Sequence, residues 1–195
     1  MLNDVSGQTA ALVRALRERH VRTGLHCDRT HGLAVELGRD LDLSQPELET
    51  LSIAAQLHDI GKIGIPDQVL LKPGRLDADE LKIMKGHAQR GFDILIAVPD
   101  PGIDEIANIV LHHHERADGT GYPSGAAGKA IPLLSRVIAL ADSYDAMAED
   151  RPYHAAKPHD VIMRILFEEE ATRHDPVLRE RFAAVVQTSP YRSSR

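Results

Sequence analysis

Eleven histidines are spread through the 195 residues of the chain, and five of them, His26, His58, His87, His113 and His114, sit on or at the end of apolar runs spaced at three and four. Two acids share that pattern, Asp59 beside His58 and Asp142 within ALADSYDAM. A single imidazole on an apolar helix face is ordinarily a core histidine with a satisfied hydrogen bond. Five together are costly, because each desolvated ring brings two nitrogens that need partners, and a cation satisfies several of them at once. Imidazoles mixed with carboxylates suit Fe, Mn or Zn and are ill-suited to Ca. Seven donors are enough for two ions, with Asp59 able to serve both. Two ions about 4 Å apart lower the pKa of a shared water and polarise phosphoryl oxygens, so the expected chemistry is phosphoester hydrolysis. Lys62, one turn beyond His58, is placed for a phosphate contact.

Competing chemistries lack their signatures. Asp118, not histidine, stands four residues after His114, so there is no HExxH motif, and no GxxxxGK[ST] loop occurs. Ser/His/Asp catalysis has no local pattern. The single cysteine, Cys27, excludes an intramolecular disulfide and a Cys-based zinc cluster, and reads as a small buried hydrophobe. His20, His31, His159 and His174 read as surface residues, and His112 faces about 100° away from its neighbour on a helix.

The elements that must position these groups are helices, because apolar residues recur at three and four and strict alternation never persists. The spacing predicts helices over about 3–19, 23–39, 45–59, 77–97, 103–114, 133–147, 159–171 and 176–187: a lead helix, then an all-α bundle of about seven helices in one compact domain. Ser44, Pro46 and Glu47 mark one helix start, and Asp77 with Glu80 another. Ile106, Ile109, Val110, His113 and His114 share one helical face, which turns the histidine pair inward. The long glycine-rich loop from Glu115 to Pro132 is of a kind that is usually functional or disordered. Residues 1–21 read as a lead helix, with room for no other element before Thr23, and 188–195 as a flexible tail.

Composition sets the outer limits. The chain is 43% hydrophobic and 27% charged, as a globular domain is. A net charge of −6 and a pI near 6.0 argue against a nucleic-acid polymer as partner while leaving a small nucleotide open. The apolar runs are too short and broken to cross a bilayer, and the first residues lack a secretory pattern, so a cytoplasmic protein without a membrane partner is expected.

HDIGK at 58–62, HHERADGTGYP at 113–123 and DRPY at 150–153 together resemble the HD-GYP family of HD-domain phosphohydrolases, from about Thr23 to Phe182. The resemblance implies an HD domain over 22–187 and hydrolysis of cyclic di-GMP to linear pGpG or GMP at an Fe or Mn centre. It assigns His26, His58, Asp59 and Asp142 to one metal and Asp59, His87, His113 and His114 to the other. Asp59 and Lys62 become the catalytic residues. Lys62, Gly121, Tyr122, Pro123, Arg151 and His154 become substrate contacts, with Arg151 offering a planar group fitted to phosphate or guanine. Family members with a third metal carry a glutamate where this chain has Arg22, so two divalent ions are expected. His154 replaces a common Arg or Lys, and Ala117 a frequent tryptophan. These departures keep two rivals in view: a catalytically weak signalling or binding module, and an HD hydrolase of another nucleotide phosphoester. A homodimer or a signalling protein is the expected kind of macromolecular partner.

Overall fold

A computed structural model describes residues 3–150 and 155–194. The helices are α1 (Asn3–Arg19), α2 (Val21–Asp40), α3 (Gln45–Leu57), α4 (Asp67–Leu70), α5 (Ala78–Lys85), α6 (His87–Leu95), α7 (Ile103–Leu111), α8 (Leu133–Ala148), α9 (His159–Arg164) and α10 (Pro176–Thr188). Among the described residues there is no strand, so the all-α class holds. The number of helices exceeds the expected seven for local reasons. The stretch expected as one helix over 77–97 divides at Gly86, whose N–H bonds back to Lys82 and Ile83 while the chain turns to begin α6 at His87. One short turn of helix, α4, fills the segment after Pro66, and α9 passes into a π-turn at Ile165–Glu169.

α2 is the central element, packed on α1, α3, α8 and α10. Its Leu33 and Leu37 are fully buried with Leu51 and Leu57 of α3, Val137, Ile138 and Tyr144 of α8, and Phe182 of α10. Each such apolar side chain contributes about 1.5–3 kcal/mol by leaving water. His20 caps α2 by accepting from Thr23 N, and Asp77 and Glu80 form a reciprocal capping pair at α5, each backbone N–H bonding the other's side chain at 2.9 Å.

The tail expected to be flexible is tied down instead. Ser193 N donates to Tyr144 Oη at 3.0 Å, Ser193 Oγ donates to Lys157 O at 2.8 Å, and the Tyr191 ring lies on α2. Gly32 permits that contact, since a Cβ there would stand 2.1 Å from the tyrosine ring. His159, expected at the surface, is buried between Tyr144 Oη at 2.9 Å and Gln187 Nε2 at 3.1 Å, and His174 is buried as well. His31, half-buried, bonds Ser52 Oγ at 2.8 Å. Cys27 belongs to the core, and burial pushes its thiol well above the usual range, which leaves it inert as a nucleophile.

Candidate metal centre

Five segments converge at the end of the bundle where α3 and α7 stop. α2 supplies His26, the turn after α3 supplies His58 and Asp59, the start of α6 supplies His87, the turn after α7 supplies His113 and His114, and α8 supplies Asp142. The histidine pair was expected on a continuing helix; α7 ends at Leu111, and the pair faces the centre from a turn. Gly61 makes the convergence possible, because the turn Ile60–Gly64 lies so close to α6 that a Cβ would fall 1.9 Å from His87 O.

Three rings are oriented in the same way. His58 Nδ1 donates to Ala55 O at 2.8 Å, His87 Nδ1 to Met84 O at 2.8 Å, and His113 Nδ1 to Val110 O at 2.5 Å. A carbonyl can only accept, so in each ring the proton sits on Nδ1 and the Nε2 that faces the centre is a bare lone pair. His87 Nε2 and His113 Nε2 thus oppose each other at 3.4 Å with no proton between them, and His58 Nε2 is buried without a partner. Burial holds His87 and His113 below the usual imidazole range and His114 down to about 3, so these rings stay neutral at physiological pH.

The acids stand between the rings. Asp59 directs Oδ2 toward His58 Nε2 at 3.6 Å and Oδ1 toward His87 Nε2 at 3.4 Å. Asp142 Oδ1 lies 2.9 Å from His26 Nε2 and 4.0 Å from His58 Nε2, and its Oδ2 is 4.0 Å from His114 Nδ1. Burial works against ionising both carboxylates. The Lys62 ammonium beside Asp59 and the His26 ring beside Asp142 nevertheless hold them well below the usual range. Lys62 Nζ donates to Asp59 Oδ2 at 2.5 Å, and that neighbour keeps the ammonium charged against the cost of burial.

His26 is held differently, and Asp145, to which the sequence reading gave no role, is the cause. Asp145 Oδ2 accepts from His26 Nδ1 at 2.6 Å, and Arg29 grips the same carboxylate through Nε at 2.7 Å and Nη2 at 3.0 Å. Burial would lower the His26 pKa, but its bonds to Asp142 and Asp145 raise it to about 9. A carboxylate behind a ligand imidazole fixes its ring and raises its basicity. The spacing carried a signal: Asp145 is three residues after Asp142, and Arg29 three after His26.

The donors fall into two groups whose ligand atoms lie within 4.8 Å of one another: His26, His58 and Asp59, and His87, His113 and His114. Buried lone pairs aimed at one another, ionised carboxylates between them and one unpartnered nitrogen are what a divalent-cation site requires, so the residues present fit metal. The loop after His114 forms the rim. Tyr122 lies 4.8 Å from the His114 ring, centroid to centroid, with Lys85 Nζ 5.2 Å above its face. Tyr122 N bonds His114 O at 3.2 Å, and Gly121 packs so closely on the backbone that a Cβ would lie 2.4 Å from Arg116 N. Pro123 follows through a cis peptide bond. His112 turns away and bonds Asn108 O at 2.8 Å. Arg151 and His154 lie outside the described residues. Arg22 stands 3.9 Å from Glu149 Oε1.

The model of the HD domain matches residues 8–178. The chain belongs to the HD-domain family. With HDIGK and HHERADGTGYP in place it falls in the HD-GYP branch. It is 42% identical over 165 residues to the cyclic di-GMP phosphodiesterase response regulator RpfG of Xanthomonas campestris, covering 85% of this chain and 44% of that one. A cyclic di-GMP phosphodiesterase of Thermotoga maritima is 40% identical, covering 84% of this chain and 45% of the relative. The HD-GYP chain thus spans less than half the length of either relative. A crystal structure of a cyclic GMP-AMP-specific phosphodiesterase of Vibrio cholerae, V-cGAP3, shares the fold with a TM-score of 0.68 at 20% identity, covering 94% of this chain and 49% of the other. HD-domain phosphohydrolases bind divalent metals, and a helical fold that gathers histidines and aspartates is the common ground. No helix among the described residues is long and apolar enough to cross a membrane.

Proposed function

We propose that this domain is a phosphodiesterase that hydrolyses cyclic di-GMP to linear pGpG or GMP with two divalent ions, Fe or Mn. The carrying observation is the set of three buried imidazoles, each with its proton spent on a backbone carbonyl and its bare Nε2 turned to a shared point between two ionised carboxylates. His26, His58, Asp59 and Asp142 would hold one ion, and Asp59, His87, His113 and His114 the other. The chemistry such ions supply is Lewis acidity toward phosphoryl oxygens and a lowered pKa for water.

The chain's own residues do the rest. Asp59 faces both histidine groups and fixes their separation. Lys62, charged and anchored on Asp59, offers its remaining N–H bonds to the phosphate that enters, offsetting the negative charge that builds in the transition state. Tyr122, Gly121 and Pro123 wall the substrate side, and Arg151 and His154 supply further contacts to the ligand. The helical interior behind the centre excludes water from all but the rim.

The test is incubation of Fe- or Mn-loaded protein with cyclic di-GMP, following linear dinucleotide and GMP by chromatography. Turnover by wild type and a loss on the order of 10³-fold in Asp59→Asn are the expected outcome. Metal-loaded protein that leaves cyclic di-GMP intact overturns the reading. Arg22, a cation where a third-metal ligand stands in some relatives, favours a second reading as a signalling module that binds nucleotide and turns it over slowly. Metal content separates the two together with turnover: two ions and fast cleavage support the first.

A further inference from the structure

Two helices carry the His26 side of the centre, α2 with His26 and Arg29 and α8 with Asp142 and Asp145, and the segment after α10 is fastened to both. On α2 the fastening is the Tyr191 ring, whose edge lies over Gly32, three residues beyond Arg29 and on the same side of the helix. Glycine inside a helix weakens the helix itself, and here the missing Cβ is the space that the ring takes. On α8 the fastening is Ser193. Its N–H donates at 3.0 Å to the hydroxyl of Tyr144, the fully buried neighbour of Asp145. Its Oγ donates at 2.8 Å to Lys157 O, and Lys157 N donates in turn to Met147 O of α8 at 2.9 Å. Tyr144 is itself held, by His159 Nδ1 at 2.9 Å and by the Phe182 ring at 5.5 Å between centroids. Tyr191 and Ser193 line the same cleft as Arg29 and Asp145, so the segment runs past the carboxylate that orients His26.

We propose, on the two-ion reading of the centre, that residues 190–194 are a strap that staples α2 to α8 and so sets the affinity of the ion held by His26 and Asp142. Tyr191 and Ser193 are then positioning residues for the metal. That ion needs a ligand from each helix, and His26 Nε2 and Asp142 Oδ1 meet at 2.9 Å across the gap between them. Arg29 reaches Asp145 across the same gap at 2.7 and 3.0 Å. Ligand geometry has to be held within about 0.5 Å, so a small slide of α2 against α8 is enough to weaken both pairs. His87, His113 and His114 come from α6 and the turn after α7, to which the strap makes no hydrogen bond among the described residues. The coupling is reciprocal: an ion on the His26 side holds the strap down by the same factor by which the strap holds the ion.

The test is Mn affinity of the full chain, read by competition with a fluorescent chelator, beside trypsin cleavage after Arg192 followed by mass spectrometry. Cleavage there needs the strap to open, because Ser193 is bonded on both its N–H and its Oγ. Gly32→Ala sets a Cβ 2.1 Å from the Tyr191 ring and ejects the strap while leaving its residues unchanged. One Mn ion should then bind on the order of tenfold more weakly and the other as in wild type. Mn should slow cleavage of wild type by the same factor and leave that of the variant fast. The Tm should fall, although alanine is the better helix former and a merely decorative tail would let it rise. If Gly32→Ala fails to fold, Ser193→Pro removes the N–H and the Oγ together and should weaken the same single ion. Equal weakening of both ions, or unchanged Mn affinity in a folded variant, overturns the proposal, as does cleavage of wild type that Mn leaves unaltered. Wild type that binds no Mn removes the two-ion reading and the strap with it. Two tight ions in wild type and variants alike remove the strap alone.

Discussion

Asp145 touches none of the other ligand side chains, yet it decides how His26 presents its ring. With Arg29 clamping both of its oxygens, Asp145 is a fixed acceptor, and His26 Nδ1–H has one place to go. Asp145→Asn keeps the shape and removes the charge, so metal affinity should fall by about 10–100-fold, read by competition with a fluorescent chelator, with helical content unchanged. At this scale the sequence was legible where the chemistry was costly. Desolvated imidazoles and the acids beside them stand out by type and spacing, and all seven donors expected from the sequence are gathered at one point. The burial of Glu115 was not legible, since a lone glutamate in a glycine-rich loop looks solvated until the loop folds over it.

At the scale of elements, the helices owe their limits to a few small residues. Gly61 lets the turn after α3 press on α6, which sets the distance between Asp59 and His87. Gly61→Ala forces a methyl against His87 O, an overpacking that costs about 1–3 kcal/mol, occasionally more. A fall in Tm of about 2–4 °C per kcal/mol measured by calorimetry, with metal lost first from the His87 group, is the expected result. The periodic pattern located the long helices well, because burial of one face decides them. It merged α5 with α6 because Gly86 costs only about 1 kcal/mol inside a helix, too little for the pattern to mark. It left the tail free because the sequence shows no reason for Tyr191 to dock until Gly32 is seen beneath it. Histidines expected at the surface were misplaced for a related reason: His159 is buried beside Tyr144 and Gln187, partners remote in sequence.

For the molecule as a whole, cation binding and folding are one equilibrium. An ion that binds only the native state adds about 2.7 kcal/mol at a concentration one hundred times its dissociation constant, so chelation should lower Tm and broaden the transition. The metal-free protein should also show a stability maximum near neutral pH. His87, His113 and His114 have native pKa values below the unfolded value of 6.5, so the unfolded chain takes up protons that the native state refuses, and stability falls as pH drops below about 6.5. His26 acts in the other direction. Its pKa is raised to about 9, so its contribution is complete below 6.5 and is lost as pH climbs toward 9. Urea midpoints at acidic, neutral and alkaline pH in the presence of chelator check this; a midpoint that rises steadily across the whole range would contradict it.

The donors run from residue 26 to residue 142, and Asp142 and Asp145 on α8 close the circle with His26 and Arg29 on α2. During synthesis the last of these groups leaves the ribosome long after the first, so a nascent chain cannot assemble the full coordination set until α8 has emerged and docked. Full loading therefore waits until α8 has docked, and an ion met before then finds at most part of its coordination set.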